Sequence, residues 1–154
     1  VKAFADGGYI ALFDNEGTQS DGSAGRRGIN VTVIDSTTGE VIDMKGFDTT
    51  ASTNEGVLLA EYLNAIPAGQ IILVASYSDA WNNLTAEAVT ALQNFGIDVS
   101  LDELQGNYLA AAGVQDAAPA SGQWMVGQPE AGLSLSLNRD RRNLAAAVDW
   151  VRLE

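Results

Sequence analysis

The sequence predicts an α+β fold, with largely antiparallel, sandwich-like sheets and two main helices packed against them. Three observations carry the prediction. Two strand patterns, residues 29–34 and 41–47, flank a turn motif and read as a hairpin. Two capped segments of helical period follow. The last third of the chain then returns to strand patterns without another long helix. Alternating strands and helices over residues 29–114 would also fit a doubly wound α/β sheet. The hairpin and the helix-poor final third favour α+β.

Taken in order, residues 4–13 alternate weakly around Gly7-Gly8 and read as a bent strand or a strand pair. Residues 14–27 are polar and rich in Gly and Ser, so they read as a surface loop. In the first hairpin strand Ile29, Val31 and Val33 alternate with Asn30, Thr32 and Ile34, giving one strongly apolar face. Asp35-Ser36-Thr37-Thr38-Gly39-Glu40 supplies the turn, since Asp bonds nearby backbone amides and Gly accepts positive φ. Ser52-Thr53-Asn54-Glu55 matches a capping box. Val57, Leu58, Tyr62 and Ile66, with Leu59 and Leu63, then predict a helix buried on a broad face, which Pro67-Ala68-Gly69 ends. Residues 70–77 form an apolar run with the length of a buried strand, and Thr85 caps a second helix that ends before Gly96. Residues 101–105 predict a helical turn. Residues 108–114 read as an Ala-rich strand with a close neighbour. Residues 123–126, 133–137 and 145–153 are further strand candidates, the last two joined by a turn over residues 138–143.

At 154 residues the chain is most simply one domain, large enough to bury a core. It opens at Val1 without a signal-peptide pattern, which reads as a processed protein or an excised domain. Eight Lys plus Arg against twenty Asp plus Glu give a net charge of −12. That field repels phosphate backbones and anionic lipid, so neither nucleic acid nor a membrane surface is expected as a partner. No apolar run approaches the roughly 20 residues that span a bilayer, so membrane insertion is not expected either. Arg26-Arg27 and the C-terminal Arg139, Arg141, Arg142 and Arg152 are the local exceptions. The chain has no Cys and no His. Thiolate nucleophiles, disulfides, imidazole bases and ordinary zinc sites are therefore excluded, and no cofactor or metal is expected.

The loop Ser76-Tyr77-Ser78-Asp79-Ala80-Trp81-Asn82-Asn83 leaves the buried strand directly. It combines a carboxylate, carboxamides and aromatics, the side chains that bond sugar hydroxyls and stack on a pyranose face. The structural alternative is that Trp81 packs over the second helix while Asp79 and Asn83 organise the turn. Arg26-Arg27 at the strand entrance offers an Arg fork for a ligand hydroxyl or carboxylate, or a partner for Asp79, against the default reading of two solvated charges. Asp48, in Phe47-Asp48-Thr49-Thr50, is able to bind a ligand or metal, but a structural Asx-turn between hairpin and helix is the preferred reading. Asp14-Asn15-Glu16-Gly17 with Asp21 lacks the spacing of a calcium loop. Asp98, Asp102 and Glu103 fit a helix start better than a glycosidase pair. The sequons at Asn30 and Asn83 fall in a strand and at a helix start, where glycosylation has little weight. Gly25-Arg26-Arg27-Gly28 leads into a strand and lacks a Lys-Ser/Thr ending, so it is no phosphate loop.

The stretch "GRRGINVTVIDSTTGEVIDMKGFDTTAS" followed by "LAEYLNAIPAGQIILVASYSDAWNNLTAEAVTALQNFGI" resembles the interleukin-like EMT inducer (ILEI) domain, also called the GG domain. The resemblance rests on Arg27-Gly28, Thr38-Gly39, Phe47-Asp48-Thr49, Leu63-Asn64 with Pro67 and Gly69, and the strand end from Ala75 to Asp79. It treats residues 1–154 as a single ILEI-like domain whose best-matching part is residues 25–96. Beyond that part, Leu104-Gln105-Gly106-Asn107-Tyr108 stands where the family has a Trp-Arg-Asp-Ser-Trp-like segment. The aromatic is kept as Tyr108, and the Arg is not. The family's cysteines are absent as well.

The resemblance implies a compact β-rich domain of extracellular or lumenal proteins, among them cytokine-like secreted factors and prokaryotic or viral surface proteins. In the stem of a protein O-mannose N-acetylglucosaminyltransferase such a domain binds glycan without catalysis. The expectation is accordingly a non-catalytic recognition domain for carbohydrate, in a prokaryotic or viral member. It would sit in a larger extracellular, adhesin or virion tail-fibre protein. Its ligand contacts would be Arg27, Asp79, Trp81, Asn82 and Tyr108, with a glycan or glycoprotein as partner. The alternative is a structural module that mediates assembly with neighbouring domains or as a homo-oligomer. A carboxylate hydrolase using Asp79 with Asp48 or Asp102 is the third reading.

Overall fold

A computed structural model describes residues 2–4, 9–13, 19–22, 24–127 and 134–136. The strand candidate over residues 145–153, the turn over 138–143, the four C-terminal arginines and the Asp14-Asn15-Glu16-Gly17 motif lie outside these residues. The fold is α+β. A five-stranded, fully antiparallel sheet is built from β4 (Gly28–Ile34), β5 (Val41–Phe47), β6 (Ile71–Tyr77), β7 (Tyr108–Val114) and β8 (Gln123–Gly127), in the order β5-β4-β6-β7-β8. Antiparallel pairing of β6 with both β4 and β7 rules out the doubly wound alternative. The helices α1 (Thr53–Asn64) and α2 (Ala86–Gln93) occupy the connections on either side of β6, and the short α3 (Leu101–Leu104) follows. A second sheet has the order β3-β2-β1-β9, from β1 (Lys2–Phe4), β2 (Tyr9–Phe13), β3 (Gln19–Asp21) and β9 (Ser134–Ser136).

Strand alternation explains how both layers are held. Ile29, Val31, Val33, Ile72, Val74, Leu109 and Ala111 face the helices, where they meet Leu59, Leu63, Leu92 and Phe95. Ile34, Leu73, Ala75, Ala110 and Ala112 face the other way and bury Ile10 of β2. The small alanines let the second sheet come close, as the Ala-rich pattern predicts. Gly113 serves the helix side, since a Cβ there would lie 2.2 Å from the Phe95 carbonyl oxygen.

The structure changes three expectations. First, β4 is buried along its whole length, because the second sheet supplies cover that an alternating pattern does not announce. The buried polar groups on that face are paired, as burial requires. Asn30 bonds the Arg26 main chain at both its amide (3.0 Å) and its carbonyl (2.6 Å), and the Thr32 hydroxyl donates to the Gly22 carbonyl. Second, Gln19–Asp21 lies inside the expected loop yet pairs with β2, an edge strand without an apolar signature. Third, the buried stripe of α1 is narrow. Gly56, Leu59, Ala60 and Leu63 pack inward, while Val57 and Leu58 are 43% and 41% exposed.

The local signals act largely as their chemistry dictates. Asp35 Oδ1 accepts from the Thr37 and Thr38 amides at 2.8 Å each. Those two amides, Thr38 first, hold its carboxyl below the usual range. Gly39 takes φ 75° in the same turn, and Gly96 takes φ 75° just beyond α2. Ser52 caps α1 through the Asn54 amide. Glu55, however, turns to the Asp48 amide at 3.0 Å instead of closing a capping box. The reciprocal box forms at Ser100 and Glu103 on α3, and Asp102 and Glu103 lie in its first turn as a helix start expects.

Tyr62 ties α1 to the hairpin. Its hydroxyl donates to Asp43 at 2.9 Å, its ring lies 5.4 Å from Phe47, and Lys45 Nζ sits 4.9 Å from its centroid. Burial, then the bond to Asp43 and the nearness of that negative charge, push the Tyr62 phenol far above its ordinary value. The folded state therefore favours the neutral phenol. Its contribution is full below the unfolded pKa of about 10 and is lost as pH rises past it. We expect urea midpoints between pH 8 and 11 to fall more steeply for the wild type than for Tyr62→Phe. Parallel curves would show that this phenol does not contribute.

Candidate functional site

One end of the five-stranded sheet gathers the start of β4, the end of β6 and the start of β7. Gly28 lies opposite Tyr77 in the register, so Arg27 and the loop after β6 leave the sheet at the same end. Gly28 has φ 91°, and a Cβ there would lie 2.1 Å from the Phe47 carbonyl oxygen and 2.5 Å from the Thr49 amide nitrogen. The link after β5 is thus pressed against the start of β4.

From that link a set of bonds crosses to the loop after β6. Buried Thr49 donates its hydroxyl to the Ala80 carbonyl at 2.7 Å, and the Asn83 amide donates to the Thr49 carbonyl at 3.1 Å. Asn83 Nδ2 donates to the Thr50 carbonyl and its Oδ1 accepts from the Thr53 hydroxyl, both at 3.1 Å. Helix α1 comes close enough to join because residue 56 is glycine: a Cβ would lie 2.4 Å from the Asn83 carbonyl oxygen. Ala80 and Leu84 anchor the loop in the core. Ser78, at φ 57°, makes the sharp turn out of β6, a conformation costing about 1 kcal/mol in a residue with a Cβ.

Fixed in this way, the loop presents Asp79 and Asn82 as exposed groups and Trp81 as a half-buried one. Trp81 meets Tyr108, the first residue of β7, edge to face at 5.8 Å and 76°. Such contacts hold a ring in place while leaving part of it for a ligand. Trp81 therefore packs against β7, where the sequence alternative has it over α2. Asn83 matches the turn-organising alternative. Arg27 is drawn to Asp48, with Nη2 at 2.9 Å from Oδ2, and not to Asp79. Its side chain remains 57% exposed, against 19% for Asp48. Asp48 is thus no Asx-turn: its carboxylate holds Arg27, while its amide is held by Glu55. Asp102 lies on the first turn of α3. Among the described residues no group of three or more acidic side chains gathers as a metal site.

Sequence reasoning offers Asn83 only as a turn organiser and misses Thr49 and Glu55 as residues that position this end. The available signal is Gly56, a glycine inside a helical period, which marks a close approach by the backbone. Thr49→Val removes a buried bond at constant shape and is expected to cost about 1–2 kcal/mol in a denaturation experiment. Gly28→Ala should cost about 3 kcal/mol or more, since the main chain must move.

Residues 27–111, over half of the chain, match the family model described as interleukin-like EMT inducer. The chain belongs to that family. The match runs from the arginine at the head of β4 into β7. Among curated proteins, the cell migration-inducing and hyaluronan-binding protein of Homo sapiens is 39% identical over 92 residues, 60% of this chain and 6% of that protein. The cell surface hyaluronidase of Danio rerio is 35% identical over 91 residues, 59% of this chain and 6% of that protein. Protein FAM3C of Rattus norvegicus is 37% identical over 70 residues, 46% of this chain and 30% of that protein. The ILEI domain thus spans a small share of the relatives it matches.

These relatives are animal proteins, so the expected prokaryotic or viral origin, and with it the tail-fibre and adhesin readings, gains no support. The expectation that the domain is non-catalytic and no enzyme is corrected. One relative carries the name of a hyaluronidase, which denotes an enzyme. Among the described residues no helix is long and apolar enough to cross a membrane.

Proposed function

We propose that this ILEI domain recognises carbohydrate as part of a longer protein at the cell surface or outside the cell. The observation that carries the reading is the loop after β6. Its carboxylate at Asp79 and carboxamide at Asn82 are exposed beside the Trp81–Tyr108 pair, on a base fixed by Thr49 and Asn83. Asp79 accepts sugar hydroxyls, Asn82 both donates and accepts, and Trp81 or Tyr108 stacks on the apolar sugar face. Arg27 uses one donor on Asp48 and offers the others to a hydroxyl or carboxylate.

The names of two relatives, one hyaluronan-binding and one a hyaluronidase, support an acidic polysaccharide of that kind as the first ligand to test. The chain's charge of −12 opposes a polyanion at long range, so Arg26 and Arg27 would have to supply the local attraction. Neutral amino-sugar glycans escape that repulsion and form the comparison set. "Cell surface" in the second name supports the location.

The test is a glycan array that includes hyaluronan oligosaccharides, probed with wild type, Asp79→Ala and Trp81→Ala. Each variant is expected to weaken binding at least about ten-fold, or ~1.4 kcal/mol, with unchanged circular dichroism. Binding to an acidic chain should also fall with salt and with Arg27→Ala. A folded wild type that binds no glycan, or variants that bind as the wild type does, would sink the reading.

A further inference from the structure

Strand β5 ends the five-stranded sheet, and among the described residues nothing pairs with its outer side. Alternation decides which of its main-chain groups face outward. At the hairpin the Asp35 amide donates to the Glu40 carbonyl at 2.8 Å, which turns Asp35 toward β5. Val33, Val31 and Ile29 then point the same way along β4. Their register partners Asp43, Lys45 and Phe47 bond inside the pair, so Met44 and Gly46 direct their main-chain groups outward. The register shift between Val33 and Ile34 absorbs the extra residue, Ile42.

One main-chain group of each outward residue is bonded by a side chain. The Met44 amide donates to Asp43 Oδ1 at 2.9 Å, and the Gly46 carbonyl accepts from Arg26 Nη1 at 3.3 Å. Arg26 lies across position 46 because glycine leaves room: a Cβ would meet Arg26 Cβ, Cγ and Cδ at 2.8, 2.9 and 3.0 Å. The root of this strap is fixed by Asn30, fully buried and bonded to both the amide and the carbonyl of Arg26.

Behind the strap the strand is apolar and self-complementary. Val41, Ile42 and Met44 are 39%, 53% and 46% exposed. A two-fold axis through Met44 lays β5 antiparallel to its own copy, with Met44 facing Met44. Asp43 then falls opposite Lys45 of the copy on both sides of the axis, and Ile42 falls opposite Gly46. Opposite charges across strands stabilise such a pair, and no like charges meet. The pairing needs the Met44 amide and the Gly46 carbonyl, the groups that Asp43 and Arg26 occupy, and it needs the space that the Arg26 stem fills. We propose that β5 is a pairing edge for a second copy of this chain, held closed by Arg26 and Asp43. Charged side chains and bulges blunt sheet edges in this way.

Sedimentation of wild type and Arg26→Ala across a concentration series tests the proposal, with circular dichroism as the control for folding. The wild type should be monomeric, and Arg26→Ala should self-associate at least about ten-fold more tightly. Arg26→Ala/Lys45→Glu places two carboxylates opposite each other and should be monomeric again. Mixed with Arg26→Ala/Asp43→Lys, also monomeric alone, it should form a heterodimer. Arg26→Gln, which removes the guanidinium and keeps most of the stem, serves if Arg26→Ala does not fold. A folded, monomeric Arg26 variant overturns the proposal. So does a dimer indifferent to Lys45→Glu, or a wild type that already pairs through β5.

Discussion

The close approach of the link after β5 to the head of β4 is the constraint on which the candidate site depends. With a glycine at 28 the Phe47 carbonyl and the Thr49 amide come within a distance that no side chain allows. Thr49 is thereby buried, and a buried hydroxyl must find a partner. The Ala80 carbonyl is that partner, so the loop after β6 is fixed from a neighbouring element and not by its own turn alone. Gly56 repeats the device from the helix side at Asn83. Two missing side chains thus let four segments meet, and the exposed groups of the loop inherit a defined base.

Burial on both faces of the central strands has a different consequence. The strands β4, β6 and β7 are covered by helices on one side and by the second sheet on the other. Any polar residue on either face must then be satisfied locally. Asn30 meets this demand by holding the Arg26 main chain, which fixes the root of a side chain that crosses the β5 edge. Packing in the middle of the sheet therefore governs what its edge exposes.

Most of the fold is legible in the sequence because local chemistry and burial agree there. The hairpin turn at Asp35, the caps at Ser52 and Thr85, and the apolar run of β6 each carry signals that neighbouring elements reinforce. The polar strand Gln19–Asp21 and the second cover of β4 are not legible, because pairing and layer order come from distant parts of the chain. At the candidate site the residue types at Asp79, Trp81 and Asn82 can be read directly, whereas the partners cannot. Arg27 and Glu55 are both nearer to Asp48 than sequence spacing indicates, and the capping box at Ser52 is opened because Glu55 answers the Asp48 amide instead. A motif names which bonds a side chain is able to make; competition in three dimensions decides which one it does make.

That competition also defines what Arg27 is able to do. Asp48 has one carboxylate oxygen on Arg27, and its other oxygen is buried with no partner. Leaving this half-buried carboxylate without its cation carries a cost. A ligand carboxylate that pulled Arg27 away would leave that cost behind. A ligand that instead bonded the outward donors of the guanidinium would leave the pair intact, and the 57% exposure of Arg27 makes those donors available. A ligand of the kind proposed would on this geometry share Arg27 with Asp48 and not take it.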